Sequence, residues 1–204
     1  MMRKEKEMDF LMSEVVAYAA CIHREQRRQD AAATPYFNHL AEVAELVERA
    51  GGNKAAVAAA YLHDSDEDQK VGISNLRMRF GYEVAYIVHE VTDNQEDVYN
   101  RLLRERGEQY ASEVVNNPKL LTREFKVQQA IDIPRKSHGG KLVKVSDCIS
   151  NTRSLVASKP KWSLSGILGY ADAKKAVVDA VRGFNAYLEV EFDAAYAEVQ
   201  RVYG

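Results

Sequence analysis

"AAVAAAYLHDSDEDQK", residues 55–70, opens as the most apolar helix-like run of the chain and within two turns becomes a cluster of His63, Asp64, Asp66, Glu67 and Asp68. As one helix, this stretch places residues four apart on one face, so His63 lines up with Glu67 and Asp64 with Asp68. The two strips are only about 100° apart and look into one space. Acid gathered at a helix C-terminus meets partial negative charge that is already there. A bound divalent cation would compensate it. The plain alternative is acid decorating a solvated helix end. Against that stands the apolar turn Ala58–Leu62, after which an ionised carboxylate needs a partner.

Working outward, nearly every segment carries the helical period, and none alternates convincingly as a strand does. Upstream, Asp9 is a candidate cap for a first helix with Phe10, Leu11, Val15, Ala19 and Ile22 on its apolar stripe. The basic, then small-residue stretch "HREQRRQDAAATPY" reads as a loop. A second helix is expected from near Pro35, carrying Leu40, Val43, Leu46 and Val47 and stopping at Gly51-Gly52. Asn53 caps the third, which holds the opening stretch. Downstream, "ISNLRMRFG" and "YEVAYIVHEVTD" read as two short helices. Residues 95–135 are charged and helix-like with a break at Asn117-Pro118, and "SHGG" at 137–140 reads as a loop. "KLVKVSDCISNTRSLV" is again helical, followed by helices over roughly 163–182 and 185–202. The expected fold class is all-α, a single helical bundle.

Composition narrows the function. At 204 residues the chain makes one domain with a proper core. A formal net charge of −2 gives no basic field for nucleic acid or a membrane surface. The N-terminal "MMRKEKEMDF" is not followed by the apolar core of a signal peptide, and no apolar run approaches the ~20 residues that span a bilayer. Cys21 and Cys148 form neither metal spacing nor a disulfide framework. A cytoplasmic protein is expected.

Further metal ligands would come from other helices. His39, in "TPYFNHL", is placed to point along the bundle interior, although a lone histidine is more often a core or surface residue. Asp147 is the stronger candidate, because it interrupts an apolar helix with Asn151 one turn on. Two His and two Asp make a mixed nitrogen and oxygen set that suits Mn²⁺, Fe or Zn²⁺.

These residues, in this order, resemble the HD-domain phosphohydrolases, in which a His, an adjacent His-Asp pair and a distant Asp hold the metal. "HREQRRQDAAATPYFNHL", "AAYLHDSDED", "FGYEVAYIVHEVTDN" and "GGKLVKVSDCISNTRSL" together resemble the hydrolase domain of the RelA/SpoT family, and most of all its small free-standing alarmone hydrolases (MESH-type, SpoT homologue). The similarity runs from about residue 15 to 185 and is weakest between 95 and 130. It implies one HD hydrolase domain over 1–204 and Mn²⁺-dependent removal of pyrophosphate from the 3′ position of ppGpp or pppGpp. Metal ligands would be His39, His63, Asp64 and Asp147. Glu67 and Asp68 would handle the attacking water, Arg28 would pack against the guanine base, and Asn151 and Tyr170 would hold the nucleotide. Lys144 is a further counter-charge for the pyrophosphate, with Arg27 and Lys141 weaker candidates. With no synthetase segment after Gly204, degradation and not synthesis is expected. A small-molecule nucleotide is the expected partner, nucleic acid and membrane are not, and an oligomer remains open.

Two departures from the family pattern stand out. Gln29 occupies a position where lysine usually follows the arginine, which keeps open an HD phosphatase acting on another nucleotide, such as NADPH or a nucleoside monophosphate. The segment "NQEDVYNRLLRERGEQYASEVVNNPKLLTREFK" makes residues 95–130 longer than in compact relatives, as a lid, an oligomer contact or a surface elaboration. Its Arg101, Arg104 and Arg106 read as a solvated face, with reach to substrate phosphates as the alternative.

Overall fold

The computed structural model describes residues 10–30 and 32–204. The helices are α1 (Met12–Ile22), α2 (Phe37–Arg49), α3 (Lys54–Leu62), α4 (Ser65–Gln69), α5 (Ile73–Phe80) and α6 (Tyr82–Val91). They continue as α7 (Gln95–Arg106), α8 (Glu108–Val115), α9 (Pro118–Asp132), α10 (His138–Ala157), α11 (Leu164–Asp179) and α12 (Ala186–Tyr203), with a 3₁₀ turn at Ile133–Arg135. Among the described residues, extended pairing is limited to an isolated bridge between Arg27 and Pro35. The fold is all-α, as the periodicity implies.

α10 is the axis of the bundle. Leu142, Val143, Val145, Cys148 and Ile149 are buried along it, and it packs against α2, α3, α6, α11 and α12. α3 gives up side-chain bulk for proximity: Ala55, Ala56, Ala58, Ala59 and Ala60 are buried, which lets it sit close to α1, α2, α6 and α10 at once. Large apolar residues such as Leu40, Leu62 and Phe192 complete the core, each contributing on the order of 1.5–3 kcal/mol when fully buried. α7, α8 and α9 close on a separate small cluster of Val98, Leu102, Ala111 and Val114.

Local chemistry places several boundaries differently from the periodicity. The apolar run does not continue as one helix to residue 70. Ser65 Oγ donates to the Leu62 carbonyl at 2.5 Å, and His63 Nδ1 lies 2.8 Å from the Ala60 carbonyl. Side chains thus take the carbonyls that a further turn would need, and α3 ends at Leu62. Asp66, Glu67 and Asp68 therefore occupy the first turn of α4, where the helix dipole favours them, not a C-terminus where it opposes them. Asp66 Oδ1 accepts from Gly72 N at 2.9 Å and ties the loop after α4.

"SHGG" is not a loop. Ser137 caps α10 by accepting from Gly140 N at 3.0 Å, and both glycines lie in the first turn. A Cβ on Gly139 would stand 2.6 Å from Ile87 Cδ1, so glycine there is what lets α10 approach α6. Asn53 does cap α3, and at the Asn117-Pro118 break the Asn117 side chain caps α9. Pro35 precedes α2, which starts at Phe37. Asp9 lies outside the described residues; the N-cap of α1 is Leu11, whose N–H donates to Glu14 at 3.1 Å. Arg101 is buried and not solvated: it donates to Glu124, Glu105 and Gln128 and fastens α7 to α9.

Candidate active site

Four donors meet where α2, α10 and the α3–α4 break come together. His39 is the third residue of α2, His63 and Asp64 form the break itself, and Asp147 sits midway along α10. His39 Nε2 lies 3.4 Å from Asp147 Oδ1 and 3.8 Å from Asp64 Oδ2. His63 Nε2 lies 3.0 Å from Asp64 Oδ2 and 3.8 Å from Asp147 Oδ1. One ligand atom from each of His39, His63 and Asp147 falls within 4.8 Å of the other two. For a cation about 2.1 Å from each donor, neighbouring donors stand roughly 3.0–3.4 Å apart, which these separations approach.

The hydrogen bonds around the imidazoles assign their protons. Ser150 Oγ gives its hydrogen to Glu42 Oε2 at 2.6 Å, so toward His39 Nδ1, 2.8 Å away, it can only accept. The Ala60 carbonyl likewise only accepts from His63 Nδ1. Both Nδ1 atoms therefore carry hydrogen, and both Nε2 lone pairs turn toward the carboxylates. Those Nε2 atoms are buried without a hydrogen-bond partner. Only positive charge reconciles this arrangement, either a proton on His63 or a divalent cation in its place. The donor set fits a divalent metal ion.

Electrostatics follow the same geometry. Burial lowers the basicity of His39. Burial also opposes charge on His63, but Asp64 and Asp147 outweigh it and hold its pKa up at about 10. For Asp64 and Asp147, burial works upward and is overcome, by His63 beside Asp64 and by Lys174 beside Asp147, so both carboxyls stay below the usual range. Glu67 goes the other way. It touches the solvent of the site cavity but is crowded by protein, and this desolvation, with Asp93 and Asp64 nearby, pushes its carboxyl up to about 7.

Two cavities meet at this centre. One, of about 360 Å³, holds Asp64, Asp147 and Glu67 together with Lys126, Lys144 and Lys174. The other, of about 350 Å³, holds Arg28, Gln29, Asp68, Trp162 and Ser154. Tyr36, Asn151 and Tyr170 line both. Of the acidic pair, Glu67 faces the ligand cavity and Asp68 the second one, where its Oδ2 accepts from Gln26 at 2.7 Å. Arg28 donates to Asn151 Oδ1 at 3.1 Å and Ser154 Oγ at 2.8 Å, and Asn151 in turn donates to Asp147 Oδ1. Lys144 is buried on the ligand cavity.

Arg27 also lines the second cavity, and the other basic candidates lie elsewhere. Lys141 packs over the Phe184 ring at 5.8 Å, Arg27 donates to the Arg24 and Gln26 carbonyls, and Arg106 stacks on Tyr110. Several site residues carry no signal in the sequence. Tyr36 donates to Asp64 Oδ2 at 2.5 Å, Glu42 and Ser150 orient His39, and Lys174 Nζ lies 3.3 Å from Asp147 Oδ2. A lysine inside the apolar stripe of α11 was the one available hint.

Among known proteins, the HD domain family profile matches residues 15–122. The chain is 31% identical over 191 residues, 92% of its own length and 94% of the relative's, to guanosine-3′,5′-bis(diphosphate) 3′-pyrophosphohydrolase MESH1 of Xenopus tropicalis. It is 33% identical over 179 residues to the Homo sapiens protein of the same name, covering 86% and 87% of the two chains. A solved structure described as a metazoan orthologue of SpoT that hydrolyses ppGpp superposes with a TM-score of 0.76 at 29% identity, covering 94% of this chain and 98% of the other.

Proposed function

Because the chain belongs to the HD-domain MESH1 family of guanosine-3′,5′-bis(diphosphate) 3′-pyrophosphohydrolases, we propose that it hydrolyses ppGpp and pppGpp to pyrophosphate and GDP or GTP. The observation that carries this reading is the convergence of His39, His63, Asp64 and Asp147 beside a cavity that also holds Glu67. A divalent cation on those donors, for which we propose Mn²⁺, would acidify a water and polarise a phosphoryl oxygen.

The chain's own residues do the rest. Arg28, with Trp162 and Tyr170 beside it, offers the second cavity as a seat for the guanine base. Tyr36, Asn151 and Tyr170 line both cavities, so a nucleotide seated there extends its 3′ substituent toward the ligand cavity. Glu67 handles the attacking water and is its proton acceptor, because its carboxyl is held near neutrality, while Asp68 borders the second cavity and stands away from that water. The water oxygen bonds to phosphorus, the bond from phosphorus to the 3′ oxygen breaks, and that oxygen leaves with a proton. Lys144 counters the charge of the diphosphate.

We treat 1–204 as one HD unit in which residues 95–130 form an elaboration that leans on the site through α9. Among the described residues no helix is long and apolar enough to cross a membrane, and a cytoplasmic setting fits a nucleotide substrate. Gln29 lines the second cavity and favours testing a second reading, a phosphatase for another nucleotide. Metal-replete protein incubated with ppGpp, NADPH and AMP separates the two. Pyrophosphate from ppGpp supports the first, and orthophosphate from NADPH or AMP alone overturns it.

A further inference from the structure

Three helices each send a lysine to the ligand cavity: Lys126 from α9, Lys144 from α10 and Lys174 from α11. Lys126 Nζ stands 5.0 Å and Lys174 Nζ 5.5 Å from the centroid of the same Tyr170 ring. Lys174 has one carboxylate partner, Asp147. Lys144 reaches only the Val91 carbonyl, at 3.4 Å, and Lys126 makes no ion pair among the described residues.

This is an unbalanced wall. Once Asp64 and Asp147 neutralise a divalent cation, the three lysines face two carboxyls in that cavity, Glu67 and Asp93. Burial, and then the neighbouring Lys174, push the Lys126 amine down, while burial of Lys174 is overcome by Asp147, which holds that amine up. A partly desolvated Lys126 with no carboxylate partner among the described residues calls for an anion beside Lys174. Two lysines within 5.5 Å of one ring centroid, in the same cavity as the candidate metal ligands, suit a group with several oxygens.

We propose that Lys126 and Lys174 form a clamp beside Tyr170 for the outer phosphate of a diphosphate ester, and so select a diphosphate over a monophosphate at the hydrolysed position. The inference rests on the alarmone hydrolase reading and gives the α7–α9 segment a task, which is to deliver Lys126. The clamp acts by position and charge and adds no chemical step of its own.

The test uses the full-length, metal-loaded protein and inorganic pyrophosphate and orthophosphate as probes, titrated calorimetrically with metal content checked afterwards. Lys126→Ala weakens pyrophosphate binding about tenfold or more, the loss of one charge-assisted contact, and leaves orthophosphate binding and the melting temperature unchanged. Lys126→Arg restores it. Lys174→Gln gives the same loss, and both variants narrow the kcat/KM preference for a 3′-diphosphate over a 3′-monophosphate of the same nucleotide. Wild-type pyrophosphate affinity in Lys126→Ala overturns the clamp even if ppGpp is hydrolysed. If the wild type hydrolyses no guanosine nucleotide yet pyrophosphate binding depends on Lys126, the clamp stands and the activity reading falls.

Discussion

His39 and Ser150 meet across α2 and α10, with Nδ1 2.8 Å from Oγ, and this contact fixes which imidazole nitrogen faces Asp64 and Asp147. Ser150 passes its own hydrogen to Glu42, which Arg153 holds in turn at 3.0 Å. Removing the hydroxyl frees the ring to turn. Ser150→Ala should therefore lower metal affinity by about 10–100-fold, the usual cost of losing an outer partner of a ligating histidine. Metal titration monitored by calorimetry checks this; unchanged affinity would mean that packing alone orients His39.

Asp147 touches both imidazoles, Asn151 and Lys174. Asp147→Ala should lose bound metal and activity together, while the wild type gains stability on metal addition, by about 2.7 kcal/mol at a hundredfold excess over Kd. Elemental analysis and thermal unfolding with and without Mn²⁺ report on this. A variant that still binds metal stoichiometrically removes Asp147 from the ligand set.

Glu67 should separate binding from chemistry. Glu67→Gln should retain metal and lose activity by about 10²–10⁴-fold, the scale of general acid–base catalysis. Its pH dependence has a defined sign. The folded carboxyl sits at about 7 against an ordinary 4.5, so the native state holds the proton more tightly than the unfolded chain. Glu67 thus favours the fold below pH 4.5, and that contribution is lost as pH rises through 7. In metal-free protein, Glu67→Gln should melt higher than wild type at pH 8, with the gap closing toward pH 4.5. Equal melting curves at pH 8 would show that Asp93 and Asp64 do not strain this carboxyl.

Arg101 joins three partners on α7 and α9, with Glu124 at 2.5 Å and Gln128 at 2.7 Å. Its side chain is only 9% exposed, so Arg101→Ala leaves Glu124 without its cation, at a cost of about 3–5 kcal/mol. Denaturant unfolding, with hydrogen exchange over residues 95–132, measures it. A loss below about 1 kcal/mol would class the cluster with solvated surface pairs.

Much of the centre was legible because its residues violate their surroundings. Asp147 inside the apolar run of α10, and His63-Asp64 after five apolar residues, announce a buried partner whatever the tertiary packing. The helical periods, the Asn53 cap and the break at Asn117-Pro118 are equally local, and they survive in the structure. Where the reading missed, a side chain had taken a backbone group. Ser65 and His63 ended α3, and Ser137 started α10 at the glycines. Tyr36, Glu42 and Lys174 left no comparable mark, since each is an ordinary residue for its helix until another helix arrives.

By itself the sequence determined the helices, their apolar faces and residue types that could hold a cation, because propensity, capping and burial patterning act over a few neighbouring residues. The tertiary structure alone decided which lone pairs point inward, that Glu67 and Asp68 part into different cavities, and that lysines from three helices share one wall. Those facts depend on distances between helices far apart in the chain. Such distances are set by how side chains on α2, α3, α10 and α11 pack, and periodicity along a single helix does not encode them.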